Sequence, residues 1–90
     1  MEEIKETIKK DRNLKEASLN LYMSHLKRLN GGKEVDNIDY LMDKQKIIDS
    51  VKDLSASTQR NMLTAVLVTL KAYKIKETYN FYKKIVKSLN

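Results

Sequence analysis

The 90-residue chain has no cysteine, no proline and no tryptophan, and only two glycines, one phenylalanine and one histidine. Each scarcity removes a class of structure or chemistry. Without cysteine there is no disulfide framework and no thiolate metal site. With His25 alone there is no second imidazole to complete a metal site. The lack of proline and the shortage of glycine argue against an all-β fold with many tight turns. Gly31-Gly32 follows a helical pattern and is not followed by Lys-Ser/Thr, so no phosphate-binding loop is present. No run approaches the ~20 apolar residues that span a bilayer. The opening MEEIKETIKKDR is charged and lacks the apolar stretch of a secretory signal. What remains is a chain with 41% hydrophobic residues, enough for one core and too short for a second domain. The expectation is a soluble, intracellular, all-α domain over residues 1–90.

Hydrophobic spacing divides the chain into four to five helices. Ile4 and Ile8 give a short first helix near 2–10, within a 1–12 segment whose thin apolar stripe predicts fraying. Leu19, Tyr22, Leu26 and Leu29 follow 3-4-3 spacing and mark one face of a second helix. Asn30-Gly31-Gly32 ends it, because glycine accepts the left-handed conformation of a C-terminal cap. Residues 30–37 read as a loop and Ile38–Met42 as a single packed turn. Asp43 is placed to cap a third helix over 44–53, with Ile47, Ile48, Val51 and Leu54 as core contacts. Ser55 is a strong cap for a fourth helix over about 56–73. Its middle, MLTAVLVTL, is apolar nearly all round, which places it at the centre of a bundle. Val66 and Val68 would also suit a strand, but the cap, the length and the alanines favour helix. After a break at Lys74 to Lys76, a fifth helix over about 76–89 carries Tyr79, Tyr82, Val86 and Leu89 as a stripe, flanked by Phe81 and Ile85.

No catalytic constellation emerges. Ser24 and His25 are neighbours in sequence, but adjacent helical residues point about 100° apart and do not pair as nucleophile and base. Asp36, Asp39 and Asp43 lack the pattern and the glycine of a calcium loop. No cofactor is expected.

Charge is more informative. The net charge is +6, and residues 55–90 carry seven bases against one acid. Such a field favours an anionic partner, although a lysine-rich solvated surface is an equally ordinary source of it. Polar residues follow helical spacing at two places. On the fourth helix Ser57, Arg60, Asn61, Thr64 and Lys71 share a face, with Ser55, Thr58 and Gln59 at its start. On the second helix the polar side holds Lys15, Ser18, Asn20, Ser24, Lys27 and Arg28. Helix starts rich in hydroxyls and free amides suit phosphate, and Arg, Asn and Gln can read base edges. Ordinary caps and solvated faces would look the same by spacing. The two helix openings also echo each other: a leucine (Leu14, Leu54) precedes each, and a hydroxyl (Ser18, Thr58) follows four residues later.

The run Leu14-Lys15-Glu16-Ala17-Ser18-Leu19-Asn20-Leu21-Tyr22-Met23-Ser24-His25-Leu26 resembles the opening helix of the core-binding domain of tyrosine recombinases, the phage-type integrases. The run Leu54-Ser55-Ala56-Ser57-Thr58-Gln59-Arg60-Asn61-Met62-Leu63-Thr64-Ala65 resembles that domain's later LS-x-ST-x-R-N-x-L-x-A helix. The likeness covers about residues 13–75. The lysine-rich, arginine-poor style is most similar to integrases of large DNA viruses, their satellites (virophages) and related mobile elements. The resemblance implies a small SAM-like bundle that forms half of a clamp on double-stranded recombination-site DNA. It implies a separate catalytic domain of the same polypeptide as partner, with oligomers forming on DNA and a monomer expected for the fragment alone. It also implies residence wherever the target DNA is: a host nucleus, a viral factory or a bacterial cytoplasm. Ser18 and Thr58 match the family's hydroxyl positions and Arg60 its basic position, while Leu21 stands where many members carry a polar residue. The family's catalytic arginines, lysine, His-x-x-Arg and tyrosine nucleophile are not matched. His25-Leu26-Lys27-Arg28 falls on a helix that the family uses for docking. The chain is therefore expected to bind DNA without being the enzyme itself. The alternatives are a helical protein–protein interaction module, using Tyr79, Phe81 and Tyr82 as an exposed face, and a basic helix over 76–89 lying on a membrane.

Overall fold

In a computed structural model, which describes residues 2–89, five helices surround one core: α1 (Glu2–Arg12), α2 (Glu16–Leu29), α3 (Lys44–Val51), α4 (Ala56–Ala72) and α5 (Lys76–Ser88). A 3-10 turn over Asp39–Met42 precedes α3. The architecture is an all-α bundle. α4 is its axis and packs against α5, α1 and α2, while α1 also touches α2. The reason lies in α4's composition. Met62, Leu63, Ala65, Val66, Val68 and Leu70 are all buried, so the helix must be covered on several sides. Thr69, buried among them, donates its hydroxyl to the Ala65 carbonyl at 2.9 Å and leaves no orphan donor.

Caps and turns set the helix ends. Ser55 Oγ accepts from the Thr58 backbone N–H at 3.2 Å, and Asp43 Oδ1 accepts from that of Lys46 at 3.3 Å. Both expected caps are present. At the end of α2, the Gly32 N–H reaches the Lys27 carbonyl (3.0 Å) and the Gly31 N–H reaches that of Arg28 (3.2 Å). This paired pattern is a Schellman motif, and Gly31 sits at φ +72° as it requires. α4 ends in the same way: the Ile75 N–H bonds the Leu70 carbonyl (2.9 Å) and the Lys74 N–H that of Lys71 (3.0 Å). Here the left-handed residue is Lys74, at φ +61°.

Three expectations need correction. α1 extends to Arg12 and is part of the bundle, with Ile4 and Ile8 both in the core. Two isoleucines one turn apart suffice because α4 offers apolar surface on that side too. α3 stops at Val51, two residues early, and leaves Leu54 as a partly buried residue packed against the core. The α2 stripe is Leu19, Met23, Leu26 and Leu29, with Tyr22 at its margin. Burial of Val35, inside the loop, was not signalled by any periodicity.

Two tyrosines fasten the 3-10 turn. The Tyr40 hydroxyl donates to the Leu26 carbonyl at 3.0 Å, and the Tyr82 hydroxyl donates to the Leu41 carbonyl at 2.7 Å. Tyr82 is fully buried. Burial, with Asp43 nearby, pushes its phenol up to about 12.

Candidate nucleic-acid interface

The polar residues singled out on α2 and α4 fall into three groups. The first is committed to local structure. Ser55 caps α4 and also donates to Thr58 Oγ1 at 3.0 Å. Gln59 Nε2 donates to the Leu54 carbonyl at 2.8 Å, holding the α3–α4 connection. Thr64 Oγ1 returns to the Arg60 carbonyl at 2.7 Å. Thr58, Gln59, Thr64 and Ser18 are half-buried. Arg60 is also half-buried and already interacts within the chain. Its side chain does not stand freely out to solvent, because the first turns of α4 already lie against the bundle.

The second group is exposed: Lys15, Asn20, Ser24, Lys27 and Arg28 on α2, and Ser57 and Asn61 on α4. Lys15 occupies the cap position of α2 in extended conformation, without a side-chain cap bond. A hydroxyl caps the start of α4 but not that of α2, where Ser18 lies in the first turn without capping it. The first turn of α2 is instead tied to α1 by Lys5 Nζ and Glu16 Oε1, 2.7 Å apart. That contact lowers the Glu16 carboxyl below its usual range.

Asn61 and Thr64 meet α2 across a groove of about 370 Å³, whose other wall is Leu21, Tyr22 and His25. Leu21 is 56% exposed and is the large apolar side chain that stands out to solvent among the described residues. Partial burial, assisted by the positive charge of Arg28, lowers the His25 pKa from its ordinary value. His25 is therefore a neutral hydrogen-bonding group at neutral pH. None of the three was assigned to the interface by sequence. Their signal was the wheel position beside Ser18, which only the packing of α2 on α4 made meaningful.

The third group is Lys71 alone. Ten residues beyond Asn61, it lies about 15 Å along α4. It belongs instead to a hollow of about 350 Å³ at the α4–α5 corner, with Lys74, Ile75, Lys76, Tyr79 and Asn80. Asn80 continues into a second hollow with Lys83, Lys84 and Lys87. The positive charge of the C-terminal third is therefore displayed mainly by α5 and its approach, away from the α2–α4 groove.

The described residues contain no group of three or more His, Asp or Glu able to hold a metal ion. None of their helices is long and apolar enough to cross a membrane. No protein-family model, curated protein or solved structure matches the chain.

Proposed function

We propose that this chain is a DNA-binding domain of the tyrosine-recombinase core-binding type, forming half of a clamp on recombination-site DNA while catalysis belongs to a separate domain. One observation carries the reading. The two segments that resemble the family, some forty residues apart in sequence, lie side by side in the bundle, and Asn61 and Thr64 share a groove with Leu21 and His25. A surface of this kind, with Arg28 beside His25, offers hydrogen-bonding groups to base edges and positive charge to phosphates.

The rival reading as a protein interaction module loses its best feature. Tyr82 is fully buried, and Tyr79 and Phe81 pack against the core. It keeps one, the exposed Leu21.

The test is titration of a labelled duplex at low and moderate salt. Weak binding with little sequence preference is expected, falling as salt rises. Arg28→Ala with Asn61→Ala, both exposed, should leave the thermal melt unchanged and reduce affinity about 5- to 150-fold. Binding that ignores salt, or the double variant binding like the parent, rejects the groove as a DNA surface. Arg60→Ala is the weaker test, since its partial burial mixes stability with contact.

A further inference from the structure

The α2–α4 groove holds few charges of its own, with Arg28 exposed beside His25 and Arg60 already engaged. The basic excess of the chain stands elsewhere. Lys76, Asn80, Lys83 and Lys87 recur at spacings of four, three and four, so they lie within one narrow strip of α5, with Lys84 at its edge. All five are exposed. Lys71 and Lys74, also exposed, extend the strip around the α4–α5 corner. The ion pairs Lys5–Glu16 and Lys52–Asp49 lie away from this strip. Lys83 lies 5.6 Å over the Tyr79 ring, which leaves its ammonium hydrogens to solvent on the outer side.

We propose that this lysine strip is a second DNA surface, one that tracks the phosphate backbone and supplies the sequence-independent part of the affinity. The proposal rests on the reading of the chain as a DNA-binding domain and adds where its charge does its work. From Lys76 to Lys87 the strip runs about 16 Å, the length of nearly five base steps of about 3.4 Å along the duplex axis. Lysines act on phosphate as point charges on flexible stems and need no fixed geometry. α2 and α5 both pack on α4 without packing substantially on each other, so the groove and the strip are separate surfaces.

A membrane surface fits less well. An interfacial helix inserts an exposed apolar side, and the apolar side of α5 (Tyr82, with Phe81, Ile85 and Val86) is turned into the core. An acidic protein partner would find few aromatic anchors, because Tyr82 is buried and Tyr79 and Phe81 are half-buried against the core.

The experiment compares three proteins of matched fold by circular dichroism: the parent, a strip variant (Lys76→Gln, Lys83→Gln, Lys84→Gln, Lys87→Gln), and a control that removes equal charge elsewhere (Lys9→Gln, Lys10→Gln, Lys33→Gln, Lys46→Gln). Each is titrated with a mixed-sequence duplex across a salt series and with phosphatidylserine vesicles. The strip variant should lose at least about tenfold in affinity, and its log–log salt slope should shrink by about 3.6, at about 0.9 per lost phosphate contact. The control should lose far less of both. If the fourfold variant fails to fold, Lys84→Gln with Lys87→Gln should still shrink the slope by about 2. Equal losses in strip and control variants, or a strip variant that binds like the parent, overturn this proposal and leave the DNA-binding reading standing. A parent that binds no duplex overturns both, and vesicle binding without duplex binding assigns the strip to lipid instead.

Discussion

Lys74 shows how a single backbone angle separates what residue types suggest from what the fold demands. The end of α2 is announced by Gly31-Gly32, since glycine carries no penalty at positive φ. The end of α4 has the same pair of hydrogen bonds but no glycine, and Lys74 adopts φ +61° because Ile75 beyond it must turn back toward the core. Only the bend itself was legible in the sequence. Lys74→Gly should relieve the strain and raise stability by about 0.5–1 kcal/mol, less than the full left-handed penalty because glycine also loosens the unfolded chain. Chemical denaturation measures this, and a destabilised variant would show that the lysine is not strained. Tyr82 makes a similar point. Its stripe position was readable, but its hydrogen bond to the Leu41 carbonyl, 41 residues away, was not.

At the level of elements, α1 is where local reasoning was weakest. Two isoleucines among charged residues predict a marginal helix, because propensity and a thin stripe are all that a local view can weigh. In the bundle, Ile4 and Ile8 are almost completely shielded, and Lys5–Glu16 ties the helix to α2. Ile8→Ala should therefore cost about 2–4 kcal/mol in a urea melt. A loss below about 1 kcal/mol would mean that α1 frays in solution. The elements with strong local signals were read with less error. Asp43 and Ser55 cap where expected, since a short side chain meeting an amide three residues on is a local geometry. α4's central place followed from its all-round apolarity.

For the molecule as a whole, titration behaviour depends on how the helices pack. His25 is held below its ordinary pKa of 6.5 in the fold, so the unfolded chain takes up a proton first as pH falls, and stability drops through and below that value. Glu16 is lowered from 4.5 by Lys5, so its contribution is present above that value and is lost on further acidification. On the alkaline side Tyr82 stays protonated up to about 12, whereas the unfolded chain ionises near 10.0, so stability falls again above that point. Thermal melts should be highest between about pH 7 and 9.5. His25→Gln should remove the first acidic loss while leaving the second, and an unchanged acid limb in that variant would show that His25 is not shielded. The sequence alone determined the all-α class, a count of four to five helices and most of their ends, because caps, periodicity and the absence of turn formers act within a few residues. It also located the basic excess along the chain. The tertiary structure decided which faces meet. Packing of α2 on α4 put His25 and Leu21 beside Asn61, while packing of α5 on α4 placed Lys71 on another surface, buried Tyr82, half-buried Tyr79 and Phe81, and left the α5 lysines facing out. Those outcomes depend on contacts between residues far apart in the chain, which no local pattern encodes.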